Sequence, residues 1–114
     1  LRFPRARIWA VFEPHTFSRT QAVLSELTNA FSDADQVLIS EIYAAREQKT
    51  SHSITGGQVV AAISKKHSAV RLVANKNEAK IILESELQSG DIVIIMAVGD
   101  FNTLAGELTN HHAA

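Results

Sequence analysis

The sequence predicts an α/β fold: a three-layer, Rossmann-like and mostly parallel sheet that carries helices on both faces. One observation is that four short apolar runs alternate with four segments of helical periodicity, which gives the order βα four times. Another is that the predicted strands are almost continuously apolar, as parallel strands are when both of their faces are buried. A chain of 114 residues, of which 46% are hydrophobic, has the size of a single domain with its own core.

The first strand is predicted at residues 7–12, a run rich in Trp, Val, Ile and Phe. Ser18 and Gln21, three positions apart, predict that a capping box opens the helix that follows. The second strand is predicted at residues 37–42. The polar connection after it, residues 43–53, is the longest in the chain and therefore the best candidate for a functional or mobile loop.

The second half of the chain repeats the pattern. Thr55 with Gln58 predicts another capping box, and Asn75 predicts the cap of the next helix. The remaining strands are predicted at residues 70–74 and 92–96. The fourth strand is apolar at every position, so we expect it in the centre of the sheet. Asp100 is expected to cap the last helix.

The composition excludes several kinds of function. The net charge is −1 and the cations form no stripe or patch, which argues against a nucleic-acid partner. The absence of cysteine excludes disulfides and thiolate metal sites and fits a reducing compartment. The longest apolar run, around residues 92–98, is far too short to span a membrane, and the first residues do not form a signal peptide.

Ligands of an open parallel sheet bind beyond the carboxyl ends of its strands. Each predicted strand is followed on that side by a polar turn, so side chains from separate turns gather at one rim. The candidate binding residues on this rim are His15, Thr16, Arg19, Arg46, Gly99 and Asp100, with Glu47 beside them.

Arg19 is the strongest of these candidates. Its guanidinium can form a two-pronged pair with a carboxylate or phosphate, and the first turn of a helix also favours an anion. The structural alternative for Arg19 is a surface ion pair with an acidic neighbour such as Glu13. Likewise, His15 can be a turn residue bonded to backbone, and Arg46 with Glu47 can be a solvated pair.

The motifs of nucleotide-binding and hydrolytic enzymes are missing. The chain has no G-x-x-x-x-G-K-[ST] loop, no G-x-G-x-x-G after a strand and no G-x-S-x-G elbow. Its five histidines lie at spacings that make no metal site. The residues by themselves therefore predict a binding rim without catalytic residues and without a bound metal.

Three stretches resemble signatures of the Mur ligases and follow in the order that the family has. Residues 11–20 read V-F-E-P-H-T-F-S-R-T, residues 41–47 read E-I-Y-A-A-R-E, and residues 96–100 read M-A-V-G-D. The H-T-F-S-R-T run is specific, and the other two support it by their positions. With the segments between them, the resemblance runs from about residue 7 to residue 108, nearly the whole chain.

The resemblance implies that residues 1–114 are one α/β domain, most of the C-terminal domain of a three-domain ligase. In the family this domain presents the incoming amino acid to a central ATPase domain. The implied reaction uses ATP and Mg²⁺ to join L-alanine to UDP-N-acetylmuramate through an acyl phosphate, in peptidoglycan precursor synthesis in the bacterial cytoplasm. By the same resemblance, Arg19 is the partner of the alanine carboxylate, and His15, Gly99 and Asp100 lie on the substrate side.

The chain also departs from the family pattern. Ala97 and Val98 stand where the family has Gly and Ala, which makes a close approach of a ligand to this turn less favourable. The chain begins at Leu1, without the family's preceding strand and helix or its P-loop domain. We therefore expect a fragment that does not turn over ATP alone, with an open sheet edge that favours self-association. The alternative is a stand-alone α/β module that binds a small anion or nucleotide without catalysis.

Overall fold

The computed structural model describes residues 6–50, 52–97 and 99–113 and contains the four βα units that the sequence predicts. The strands are β1 (Ile8–Phe12), β2 (Gln36–Ser40), β3 (Val70–Val73) and β4 (Ile92–Met96). The α-helices are α1 (Phe17–Ala22), α2 (Leu24–Ala30), α3 (Gly56–Ser64), α4 (Lys76–Glu86) and α5 (Leu104–Ala113), with a 3₁₀ helix at Asp100–Thr103 leading into α5. The strand bounds agree with the prediction to within two residues.

The four strands form a parallel sheet in the order β3-β2-β1-β4. Ala10 of β1 lies opposite Val37 of β2 on one side and opposite Ile94 of β4 on the other. The prediction that β4 is central is wrong, because within the described sheet β4 is an edge strand. An apolar sequence shows that a strand is hydrophobic but does not show where in the sheet the strand lies. In keeping with the edge position, Ile94 and Met96 are 47% and 38% exposed.

Helices cover both faces of the sheet, which confirms the predicted three-layer α/β architecture. Alternate residues of β1 point to opposite faces, so Trp9 and Val11 belong to one core and Ala10 to the other. The first core is completed by side chains from α4, the 3₁₀ helix and α5: Ala79, Leu83, Phe101, Leu104 and Leu108. The second is completed by side chains from α2, α3 and the preceding loop: Leu27, Phe31, Ile54, Val59 and Ile63.

The helix starts agree with the sequence in two cases. Thr55 and Gln58 form the predicted capping box of α3, and the Asn75 side chain accepts the Glu78 N–H at the start of α4. Both helices therefore begin where local hydrogen bonding satisfies the first free N–H groups.

The first and last helices start differently from the prediction. Thr16, not Ser18, is the N-cap of α1, because its side chain accepts the Arg19 N–H. Gly99, not Asp100, holds the N-cap position of the 3₁₀ helix, which has no side-chain cap bond. The single helix predicted after β1 is split at Val23, whose φ of −108° and ψ of 13° are not helical.

None of the helices in the described ranges is long and apolar enough to cross a membrane.

Candidate functional site

The turn after β1 and the loop after β2 are joined side by side at the carboxyl edge of the sheet. The Tyr43 N–H donates to the Pro14 carbonyl and the Thr16 N–H donates to the Tyr43 carbonyl, both at 2.8 Å. The rings of His15 and Tyr43 stack with their centroids 5.7 Å apart and their planes 19° from parallel. The two loops thus extend the strand pairing beyond the sheet, as the isolated bridge between His15 and Tyr43 shows.

The carboxylate of Glu47 binds the start of α1. Its Oε1 accepts the N–H groups of Phe17 and Ser18 at 2.5 and 3.1 Å, and its Oε2 accepts the Ser18 hydroxyl. The hydrogen bonds from the Ser18 side chain and backbone lower the pKa of the Glu47 carboxyl below its ordinary value. The helix start that the sequence predicts as an anion site is therefore already occupied by an anion of the chain itself.

Thr16 determines where Arg19 lies. The Thr16 Oγ1 accepts the Arg19 N–H at 3.2 Å, and the Thr16 carbonyl accepts the Thr20 hydroxyl at 2.6 Å. Thr16 has φ 61° and ψ 150°, a sparsely populated conformation for a residue with a side chain. The Arg19 side chain is exposed, and its guanidinium makes no hydrogen bond or ion pair with any described residue.

Glu13 is a buried carboxylate at the end of β1, with only 7% of its surface exposed. Its Oε1 accepts the Gly99 N–H at 2.8 Å, which ties the end of β1 to the turn after β4. A Cβ on Gly99 would lie 3.3 Å from both Glu13 carboxylate oxygens and from Tyr43 Cδ1. This close approach explains why the smallest residue occupies position 99.

A pocket of about 310 Å³ opens between the α1–α2 segment and the carboxyl ends of β1 and β4. Its polar members are Glu13, His15, Arg19 and Thr20. Its apolar members are Phe12, Val23, Leu27, Met96 and Ala97. The surface that these residues present to the pocket is almost entirely apolar, which suits a small ligand or ligand group that is itself largely apolar.

The structure brings together most of the predicted rim. His15 and Arg19 line the pocket, Thr16 supports Arg19, and Gly99 adjoins Glu13. Arg46 is exposed in the neighbouring loop and makes no hydrogen bond within the described part of the chain. The side chain of Asp100 lies outside the described residues, as does Val98.

Three residues of the site have contacts or burial that the sequence does not predict. Glu47 bonds to α1 and is not half of a solvated pair with Arg46, and Tyr43 packs on His15. Glu13 is buried beside the pocket and is not a surface partner of Arg19. A signal for Glu13 was available, because a carboxylate that directly ends an apolar strand before a proline lies at the ligand edge of the sheet.

No group of three His, Cys, Asp or Glu side chains in the described ranges could hold a metal ion.

The sequence matches no established family model, but it is similar to curated ligases over nearly all of its length. It is 38% identical over 104 residues to the UDP-N-acetylmuramate–L-alanine ligase of Alkaliphilus metalliredigens, which covers 91% of this chain and 22% of that protein. It is also 38% identical over 107 residues to the enzyme of the same name from Gloeobacter violaceus, with 94% and 23% covered. The chain thus spans about a fifth of the length of these relatives.

Solved structures agree on the fold. The UDP-N-acetylmuramate-alanine ligase MurC of Thermotoga maritima superposes with a TM-score of 0.71 at 14% identity, over 97% of this chain and 21% of that one. A domain named as part of a UDP-N-acetylmuramate:L-alanyl-gamma-D-glutamyl-meso-diaminopimelate ligase of Haemophilus ducreyi superposes with a TM-score of 0.63 at 21% identity. That match covers 96% of this chain and 72% of the Haemophilus domain. The chain therefore belongs to the Mur ligase family and is homologous to the C-terminal region of the UDP-N-acetylmuramate–L-alanine ligases.

Proposed function

We propose that this chain is the amino-acid-presenting domain, residues 1–114, of an ATP-dependent ligase that joins L-alanine to UDP-N-acetylmuramate in peptidoglycan precursor synthesis. The relatives that match it are named for that reaction. The reaction passes through an acyl phosphate of the muramoyl carboxylate, which the amine of L-alanine attacks. Its place is the bacterial cytoplasm, which agrees with a chain that contains no cysteine.

The observation that carries the proposal is that Arg19 lines a small, mostly apolar pocket. A guanidinium without a partner in the described part of the chain is suited to pair with the carboxylate of an amino acid. The apolar wall, which includes Val23 and Met96, can take the methyl group of alanine. His15, which stacks on Tyr43, lines the same pocket and is proposed as a second contact to the ligand.

ATP and Mg²⁺ belong to the proposed reaction but do not fit the residues of this chain. The sequence has no phosphate-binding G-x-x-x-x-G-K-[ST] loop. The described side chains offer no cluster of three metal ligands. We therefore assign nucleotide binding and phosphoryl transfer to other domains of the ligase, and the remaining Mur ligase domains are the proposed partners of this chain.

The test is a chimaera in which this chain replaces the matching region of the Alkaliphilus metalliredigens ligase. The chimaera should hydrolyse ATP in a manner that depends on L-alanine and UDP-N-acetylmuramate. Arg19→Ala should lower kcat/KM for L-alanine by roughly 10²-fold, as expected when a charged hydrogen-bonded pair worth about 2–3 kcal/mol is lost. Lys66→Ala, which removes an exposed cation just after α3, is the matched control and should change nothing.

Two outcomes would contradict the proposal. The first is an equal kcat/KM for L-alanine in the Arg19→Ala chimaera and its parent, which would mean that Arg19 has a structural role only. The second is binding of acetate as tight as that of L-alanine to the 114-residue chain, measured by NMR titration. That result would favour the stand-alone anion-binding module instead.

A further inference from the structure

We propose that Glu47 is a positioning residue: its carboxylate holds the segment His15–Arg19 in the conformation that places the Arg19 side chain at the pocket. The inference rests on the proposed function of the pocket as the amino-acid site. Glu47 does not line the pocket, so its effect on the ligand would pass through the turn that it binds.

The first step of the argument is that this turn needs external support. Thr16 (φ 61°) and Ala45 (φ 56°) both adopt positive φ without being glycine, one on each of the two joined loops. Such conformations persist only where the surroundings hold them. The support here consists of two backbone hydrogen bonds, the His15–Tyr43 stack and the three hydrogen bonds to Glu47. Glu47 provides the charged bonds, and among the described contacts between the two loops these are the ones that reach α1 itself.

The second step is that the position of Arg19 follows from the backbone of the turn. The Arg19 guanidinium has no partner among the described residues, so no contact of its own holds it in place. The Arg19 backbone N–H donates to Thr16 Oγ1. Thr16 directly precedes Phe17, whose N–H donates to the Glu47 carboxylate. A shift of the first turn of α1 would therefore move the guanidinium relative to the pocket.

The third step concerns where an anion can bind. The N–H groups of Phe17 and Ser18 are hydrogen-bond donors at the start of a helix, where anions are generally favoured. Glu47 accepts both of them, and its negative charge disfavours a second carboxylate at the same place.

The first experiment measures amide hydrogen exchange by NMR on the 114-residue chain. Glu47→Ala should speed exchange at Ser18 and Arg19 by more than about tenfold and leave Val11 in β1 within about twofold. Exchange at Ser18 reports the lost bond itself, whereas exchange at Arg19 reports whether the turn has moved. Glu47→Gln, which keeps an acceptor oxygen, should give a smaller change. Unchanged exchange at Arg19 in Glu47→Ala would overturn the proposal.

The matched control is Glu86→Ala. Like that of Glu47, the pKa of the Glu86 carboxyl is lowered by a side-chain hydrogen bond, in its case from Arg71, but Glu86 lies at the end of α4, away from the pocket. Glu86→Ala should leave exchange at Arg19 unchanged. An equal effect of both substitutions on Arg19 would mean that the change is global, and the proposal would fall.

The second experiment uses the active chimaera. Glu47→Ala should raise the KM for L-alanine by about tenfold or more and leave the KM for ATP unchanged. In an Arg19→Ala background, Glu47→Ala should add less than about twofold, because the group that it positions is gone. Equal effects in the two backgrounds would overturn the proposal. If Arg19→Ala has no effect, the proposed function fails; if only Glu47→Ala has none, this inference alone fails.

Discussion

Gly56 should tolerate alanine poorly although it lies in the first turn of a helix. A Cβ built on Gly56 would lie 2.8 Å from Glu41 Oε1, 2.9 Å from Leu72 Cδ1 and 2.9 Å from the Ser40 carbonyl oxygen. The two side chains can move, but the Ser40 carbonyl belongs to the backbone at the end of β2. The N–H of Gly56 also donates to Glu41 at 3.1 Å, so a shift of the helix start would strain that bond too.

The size of the effect follows from two opposing contributions. Forcing an extra carbon against a fixed backbone atom costs about 1–3 kcal/mol. The replacement of glycine by alanine within a helix contributes up to about 1 kcal/mol in the opposite direction. We therefore expect Gly56→Ala to lower the free energy of unfolding by about 1–2 kcal/mol. In a domain near this size, each kcal/mol lost lowers Tm by roughly 4–8 °C.

Gly57→Ala is the matched control, because it makes the same chemical change one residue further along α3. Among the described residues, a Cβ there would meet only Thr55 Oγ1, at an ordinary contact distance of 3.7 Å. We expect Gly57→Ala to be neutral or stabilising by up to about 1 kcal/mol. Urea and thermal unfolding followed by circular dichroism measure both variants. Equal stability of the Gly56→Ala and Gly57→Ala proteins would refute the steric argument.

Two further predictions concern charged groups. Asp91 accepts hydrogen bonds from Arg7 and from the Trp9 indole, and its side chain is only 5% exposed. Asp91→Ala should therefore lower the free energy of unfolding, measured in urea, by about 2–3 kcal/mol, and Asp91→Asn should lower it less. Hydrogen bonds from Lys76 and Thr103 lower the pKa of Glu107 to about 2, so its contribution to stability is present above pH 4.5, the ordinary value, and is lost as the pH falls towards 2. NMR titration of the Glu107 carboxyl carbon should show this midpoint, and Lys76→Ala should raise it; an unchanged midpoint would contradict the assignment.

The sequence predicts the parts of the fold that depend on local pattern. Apolar runs place the four strands to within two residues, and the capping signals at Thr55 and Asn75 place the starts of α3 and α4. These features need only the residues next to them. The carboxyl-edge rule is similarly general, and it correctly brings His15 and Glu47 to one rim before strand order is known.

The remaining features depend on contacts between distant residues. The position of β4 at the edge cannot be read from its apolar sequence, because an apolar run does not state which strand lies beside it. Ser18 looks like a cap in the sequence, but its hydroxyl donates to Glu47, 29 residues away, and Thr16 takes the cap position with a positive φ. A pattern of residue types does not reveal that a distant carboxylate will occupy a helix start.

On the proposed function, the carboxylates at the rim suit a zwitterionic amino acid better than a nucleotide. Glu13, Glu41 and Glu47 accept backbone N–H groups at Gly99, Gly56 and the start of α1, respectively. Backbone N–H groups at such turns are what proteins commonly use to bind phosphate. Here they are bonded to acidic side chains, which would repel a polyanion. In the proposed site Arg19 binds the single carboxylate of the amino acid, and Glu13, an acidic residue that also lines the pocket, is compatible with its ammonium group.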